Sequence, residues 1–327
     1  MTPKISVIIP VFNTERYIGR CLDSVQGQSL KDIEIICVDD GSTDGTLELL
    51  YKRAESDDRL RVVRFSDNRG PARTRNAGIE LSAGDYVYFI DSDDWIDTDY
   101  LESMYSEIVK TGQDVVVNSE YIEEYESFEL RNDRRDLGYR IPLGYCSPYT
   151  VQSLIPPLVI LRLYKRSYIL DNGVRFPDCR AGEDIYFSGL SEVLQDRSFV
   201  FRGPKYHYLQ RKKSLAHQYA SGFYYIENYK ALYEEALLRD LSVDDMKLFQ
   251  VGLRLSVSSE GQFLFLKDYC SRIIGQVSTH QTMYNGFDWF LVQLFTTCPD
   301  YQTLLSEYGM VPALGYIRKT HSLKINP

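Results

Sequence analysis

ISVIIPVFNTERYIGRCLDSVQGQSLKDIEIICV, residues 5–38, sets two apolar runs on either side of a helix-period segment, and this stretch decides the fold. Ile5 to Pro10 and Ile33 to Val38 are nearly continuous in apolar residues, as strands buried on both faces are. Between them Ile18, Cys21, Leu22 and Val25 recur at helical spacing, with Thr14 placed to cap the helix start. The pattern repeats outward. Leu60 to Phe65, Tyr86 to Ile90 and Val115 to Val117 read as further strands, and Ser42 or Thr43 can open a helix carrying Leu47, Leu50 and Tyr51 on one face. This βαβαβ order predicts an α/β fold, a mostly parallel sheet flanked by helices, with ligands beyond the carboxyl ends of the strands.

Residues 120 to 150 turn polar and mixed in charge, from Glu123, Glu124, Glu126 and Glu129 to Arg131, Arg134 and Arg135, and read as a surface hairpin or loop. Apolar text resumes at Leu158 to Tyr164, a turn follows at Asp171-Asn-Gly173, and Ile185 to Leu194 has helical spacing. Phe199 to Phe201 reads as a strand, and long helical patterns follow at Tyr224 to Leu241 and Asp245 to Ile274. The division expected is a catalytic-type domain over 1–219 and a mainly helical region over 220–327.

The 327 residues suffice for a large core, and 44% hydrophobic with 25% charged residues is a globular composition. The formal charge of −9 disfavours indiscriminate binding to nucleic acid or anionic lipid, so no nucleic-acid partner is expected. The six cysteines show neither CxxC pairs nor clusters with histidine. The first apolar run is too short for a secretory leader, and no 18 consecutive residues are apolar, so the chain reads as soluble and cytoplasmic.

Chemistry is sought at the strand ends. Ile33 to Val38 leads into Asp39-Asp-Gly-Ser-Thr-Asp-Gly45, whose carboxylates can accept from a base N–H or a hydroxyl, or simply open a helix. Tyr86 to Ile90 leads into Asp91-Ser92-Asp93-Asp94-Trp95, where adjacent carboxylates repel unless a cation joins them. Mg²⁺ or Mn²⁺ bridging one or two carboxylates to phosphates suits that turn, and a solvated acidic turn before the helix after Asp97 is the other reading. Arg69, Arg73 and Arg75 cannot share one helix face, but one or two of them can neutralise a bound nucleotide. Neither GxGxxG nor GxxxxGK[ST] occurs here, which argues against dinucleotide and P-loop enzymes. Glu183-Asp184, just before a helix, can supply a general base or only favour the helix N-terminus. The run Lys205 to Ser214 reads as a phosphate lid, an acceptor site or an exposed strand and loop, with His207 as a packed histidine.

In order and spacing these pieces resemble the family 2 glycosyltransferases of the GT-A, Rossmann-like fold, of the kind that builds bacterial polysaccharides. The matching text is Ser6-Val-Ile-Ile-Pro-Val-Phe-Asn13, Val38-Asp-Asp-Gly-Ser-Thr-Asp44, Arg75-Asn-Ala-Gly78, Asp85 to Trp95 with Asp91 and Asp93 as a DxD, and Gly182-Glu-Asp184. It continues through Leu163-Tyr-Lys-Arg166, Asn172-Gly-Val-Arg-Phe-Pro177 and the basic run. The resemblance implies inverting transfer of a hexosyl or N-acetylhexosaminyl group from a nucleotide-diphosphate sugar, a UDP-sugar by expectation, to an acceptor hydroxyl.

It also implies the residue roles. Pro10, Phe12 and Asp40 line the base pocket with Asp39 and Arg75 nearby, and the Asp91-Ser92-Asp93 turn reaches ribose, metal and diphosphate. Asp93 is the principal ligand of Mn²⁺ or Mg²⁺ and Asp91 its companion. Asp184 takes the acceptor proton, with Glu183 its neighbour and second choice. Phe12 stands where many members have tyrosine, so stacking survives without a phenol contact. Saccharide or lipid-linked saccharide acceptors are the implied partners, and the long helices after 220 could supply a homodimer interface. Lys205, Arg211, Lys212 and Lys213 offer a contact with the inner face of a membrane or an exposed loop. Two other readings stand beside this one: a Mg²⁺-dependent phosphohydrolase of the haloacid dehalogenase type, and a sugar-nucleotide-binding protein without turnover.

Overall fold

The computed structural model describes residues 2–126, 143–147, 151, 155, 157–179, 181–211, 223–241, 260–277 and 295–308. The chain divides into two units, Met1–Ser214 and Leu215–Pro327.

The first unit is built on β1 (Ile5–Val11), β2 (Ile33–Asp39), β3 (Leu60–Arg64) and β4 (Tyr86–Phe89), parallel and in the spatial order β3-β2-β1-β4. Ile5, Val7, Ile8 and Ile9 of β1 and Ile35, Ile36, Cys37 and Val38 of β2 have no exposed surface, so both faces are covered, as their unbroken apolar text requires. β6 (Val115–Asn118), β8 (Gly144–Cys146), β9 (Arg162–Lys165) and β10 (Ser198–Phe201) extend the sheet beyond β4 in the order β9-β6-β10-β8. β9 lies antiparallel to both β4 and β6, so β6 again points the same way as β1. A second, three-stranded sheet sets β11 (Tyr206–Gln210) between β5 (Trp95–Ile96) and β7 (Tyr121–Tyr125). Residues 121–125, within the segment expected as a surface hairpin or loop, are therefore a strand, paired parallel with β11 rather than in a hairpin. Glu129, Arg131, Arg134 and Arg135 lie outside the described residues.

Helices α1 (Ile18–Gln26), α2 (Thr46–Ala54), α3 (Pro71–Leu81), α4 (Tyr100–Thr111), α5 (Arg166–Asp171) and α6 (Glu183–Val193) complete the unit. α1 buries the expected Ile18, Cys21, Leu22 and Val25. Its start differs from expectation: the Thr14 carbonyl, not its hydroxyl, accepts the N–H groups of Tyr17 and Ile18. α2 likewise opens later than expected, with the Asp44 carboxylate accepting the Thr46 N–H at 3.0 Å, while Ser42 Oγ is turned to the Asn13 N–H. Of its expected face only Leu50 is fully buried, and Tyr51 is exposed.

α3 packs closely across β1. A Cβ at Gly78 would collide with the Ile8 side chain, so the helix approaches the strand at the one position that has no side chain. The buried tyrosines serve as core residues with a hydrogen-bonding tip: Tyr88 donates to the Ile160 carbonyl at 2.8 Å and Tyr168 to that of Ser191 at 2.7 Å. The six cysteines are free thiols. In the second unit the described residues form α7 (Phe223–Leu238), α8 (Glu260–Val277) and α9 (Tyr301–Tyr308). The expected helix from Asp245 is seen from Glu260 onward, and residues 245–250 and 251–259 lie outside the described residues. No helix among the described residues is long and apolar enough to cross a membrane.

Candidate functional site

The parallel strands β1, β2 and β4 carry Phe12, Asp39-Asp40 and Asp91-Ser-Asp-Asp94 out of one sheet edge. Phe12 is 42% exposed, an aromatic face offered to solvent at a strand end, and Pro10 before it is half-buried. Asp39 is fully buried. Its Oδ2 accepts the Ser42 N–H at 3.2 Å with Arg64 Nε 3.8 Å away, and its Oδ1 is buried with no partner, an acceptor left over at the strand end. Asp40 gives its two oxygens to the N–H groups of Arg69 and Gly70, at 2.7 and 2.8 Å, and so orders the loop that opens α3. Burial nonetheless holds its carboxyl above the usual range, against the pull of those two N–H groups.

Of the three arginines, Arg69 pairs with Asp67 and Arg73 with Asp178 at the surface, whereas Arg75 is buried. The expectation put Arg75 beside the base pocket. The structure makes it the centre of the acidic cluster: one terminal nitrogen lies 2.8 Å from Asp91 Oδ1, the other 2.6 Å from Glu183 Oε1 and 3.3 Å from Asp184 Oδ1. Burial disfavours its charge, but Asp184, Asp91 and Glu183 outweigh burial and raise its pKa.

α6 is held in place by contacts along its length. Phe187 stacks on Phe176 at 4.0 Å, and Phe89, just before the acidic turn, meets both rings edge-on at 5.3 and 5.6 Å. Farther along α6, Glu192 accepts from Arg162 of β9 at 2.6 Å in a fully buried pair. Gly182, with φ of 79°, makes the turn into the helix at an angle that other residues adopt only with strain. Burial pushes the Asp184 carboxyl up to about 7, with Arg75 opposing and Glu183 and Asp91 adding to the rise. A carboxyl poised there can exchange a proton near neutral pH.

The three acids of the turn have separate fates. Asp91 is on Arg75. Asp94 is buried and accepts from the Tyr206 hydroxyl at 2.5 Å and the Leu209 N–H at 2.7 Å, tying the turn to β11; burial and the charges of Asp93 and Asp91 push its carboxyl well up. Asp93 Oδ2 lies 2.5 Å from Arg211 Nε, and burial raises its carboxyl to about 6 despite that arginine. Ser92 is buried between them.

The run from Lys205 to Ser214 reads in sequence as a phosphate lid, an acceptor site or an exposed strand and loop, and the structure turns its Arg211 onto Asp93. Nothing local in the sequence signals this, since the contact spans the join between two sheets. Lys212 and Lys213 lie outside the described residues. Trp95 is likewise more than the end of a motif: Arg20 lies 3.2 Å above its ring, His207 stacks on it at 5.0 Å, and the His207 nitrogens meet Asp97 at 3.0 Å and Glu124 at 2.8 Å. The expectation of a packed His207 holds.

Among the described residues no three acidic, histidine or cysteine side chains converge as a metal cage. The donor set instead suits a hard ion that takes one or two carboxylates and completes its shell with phosphate oxygens and water. Asp93 is the candidate carboxylate for it, desolvated, paired with Arg211, and within electrostatic reach of Arg20.

The α/β fold has counterparts among solved structures. The UDP-GlcNAc complex of S. aureus TarS 1-349 superimposes with a TM-score of 0.60 at 22% identity, over 83% of this chain and 73% of that one. The mannosyltransferase PcManGT from Pyrobaculum calidifontis, in complex with GDP-Man and Mn2+, superimposes with a TM-score of 0.59 at 16% identity, over 90% and 85%. In sequence, residues 6–170 match the profile of Glycosyl transferase family 2. The putative glycosyltransferase EpsH of Bacillus subtilis is 32% identical over 71% of this chain and 68% of its own length. Glycosyltransferase GlyA of Streptococcus pneumoniae is 35% identical over 65% of this chain, which spans only 31% of GlyA. The chain belongs to family 2 of the glycosyltransferases, as the motif order implied.

Proposed function

We propose that the chain is an inverting glycosyltransferase that moves a hexosyl or N-acetylhexosaminyl group from a nucleotide-diphosphate sugar, a UDP-sugar first among them, to a hydroxyl of a growing surface polysaccharide or glycolipid. One observation carries the reading. A single buried guanidinium, Arg75, holds Asp91 of the donor-side turn and Glu183-Asp184 of α6 together, so a donor-binding edge and a candidate base face one another.

In this reading Phe12 stacks on the base, Pro10 lines its edge, and Asp39 and Asp40 accept from the base or hold the loop around it. Asp184, raised to about 7, removes the acceptor's proton as the hydroxyl attacks the anomeric carbon from the face opposite the diphosphate. A single displacement of this kind inverts the anomeric configuration and needs no protein nucleophile. Asp93, with Asp91 beside it, would hold Mn²⁺ or Mg²⁺, which supplies Lewis-acid stabilisation of the charge growing on the leaving diphosphate. The catalytic residues are assigned to 1–219, and acceptor recognition to 220–327. The poly(ribitol-phosphate) beta-glucosyltransferase of Bacillus spizizenii, 30% identical over 64% of this chain and 32% of its own length, supports a polymeric surface acceptor.

The test is a thermal-shift panel of nucleotide sugars with and without Mn²⁺, because a ligand bound only by the native state raises the melting temperature by mass action. Stabilisation by one UDP- or GDP-sugar that requires Mn²⁺ and disappears in Asp93→Ala is the expected result. A flat response across the panel refutes the donor assignment.

A further inference from the structure

Arg211 follows β11 and turns back onto the acidic turn. Its Nε lies 2.5 Å from Asp93 Oδ2, and its guanidinium carbon lies 5.0 Å from the centre of the Tyr17 ring. The Tyr17 hydroxyl in turn donates to Glu126 Oε1 at 2.7 Å, so the arginine is seated by an aromatic face as well as by charge. The side chains of the pair are only 26% and 14% exposed, which limits screening by water. A guanidinium does not lose its proton in a protein, so Asp93 carries a permanent cation as long as Arg211 stays.

The same carboxylate is the one assigned to the divalent ion, and two cations brought to one carboxylate repel each other across a few ångströms of poorly screened space. We propose that Arg211 is a donor-site residue that competes with the divalent ion for Asp93, making ion binding conditional on a nucleoside diphosphate. The inference rests on the assignment of Asp93 to the ion in the preceding subsection. A diphosphate changes the balance because its oxygens can take the planar fork of Arg211 and ligate the ion at once, which frees Asp93. Linkage then requires that diphosphate and ion raise one another's affinity by one common factor, part of which Arg211 supplies.

The experiment titrates Mn²⁺ into the full chain, following the free-ion signal by electron paramagnetic resonance, with and without saturating UDP or GDP. It compares wild type, Arg211→Gln, Arg211→Lys and Asp93→Asn. Arg211→Gln is expected to bind Mn²⁺ alone at least threefold more tightly than wild type, and the factor by which the nucleotide tightens Mn²⁺ should shrink at least threefold. Arg211→Lys keeps the charge and should bind Mn²⁺ alone as wild type does. Asp93→Asn should lose Mn²⁺ binding in both conditions. If Arg211→Gln does not fold, Arg211→Met, which keeps the stem against Tyr17, is read in the same way.

Unchanged Mn²⁺ affinity and an unchanged nucleotide factor in Arg211→Gln, with Asp93→Asn still defective, overturn the competition and leave the donor assignment standing. Wild-type Mn²⁺ affinity in Asp93→Asn, or no nucleotide effect in wild type, overturns the donor assignment and this inference with it.

Discussion

Arg75 balances three carboxylates with one buried charge, and removing it leaves Asp91, Glu183 and Asp184 repelling one another out of water. Breaking a buried ionic cluster by deleting one partner costs about 3–5 kcal/mol. Arg75→Met should lower stability to urea by about that amount, and a loss under 1 kcal/mol would mean the cluster is held by other means. Asp184→Asn should leave nucleotide binding intact and cut transfer by about 10²–10⁴-fold, the usual contribution of a general base.

The pH dependence follows from the same residue. Asp184 must be ionised to accept a proton, so with its carboxyl near 7, kcat/KM of wild type should rise through pH 7 and level off above it. The sign for stability is the reverse. A carboxyl near 7 in the fold and near 3.8 when unfolded binds more protons in the native state between those values, so its contribution to stability falls as pH rises through that window. The melting temperature of Asp184→Asn minus that of wild type should therefore increase from pH 4 to pH 7.5. A difference that is flat across this range would show that Asp184 is not held above the ordinary carboxylate range.

At the scale of elements, the site depends on how closely α3 and β11 approach the strands. Gly78 lies on Ile8, and Ile8 is wholly buried and β-branched, with little room to move. Gly78→Ala should destabilise by about 1–3 kcal/mol through overpacking. Gly19→Ala in α1, where nothing lies within 4 Å of the added carbon, should instead stabilise by about 0.5–1 kcal/mol. Chemical denaturation of the two variants side by side checks both, and equal effects would deny the close approach. The tie between the sheets is the Tyr206 hydroxyl on Asp94. Tyr206→Phe leaves a buried acceptor unsatisfied, so a loss of about 1–3 kcal/mol is expected in the same assay.

For the whole molecule, the residues assigned to donor binding and proton transfer all fall within the unit Met1–Ser214, whatever the role of the helices beyond. A fragment of residues 1–219 is therefore expected to bind UDP or GDP with Mn²⁺ within about threefold of the full chain by calorimetry. A larger loss would place donor contacts after 219. The chain spans 31% of GlyA and 68% of EpsH, so acceptor choice is best sought by comparing full-length chains rather than the shared core.

The strands β1 to β4 and the helix face of α1 were legible in the sequence because each depends on near neighbours along the chain, and the motif order because it can be read along the chain without knowing which residues meet. Unbroken apolar runs must be covered on both faces, helical spacing must bury one side, and acids after an apolar strand must emerge at its end. Tertiary structure alone decided the partners. Arg75 meets Glu183 across 108 positions, Tyr206 meets Asp94 across 112, and Arg211 meets Asp93 across the join between two sheets. The segment holding 121–125 reads in sequence as a surface hairpin or loop, and its parallel pairing with β11, a strand some way along the chain, was not legible because no local pattern names a partner. Charge pairing at such distances is set by how the sheets are stacked, which no local periodicity encodes, so the sequence determines which acids and arginines are present and the fold determines which of them meet.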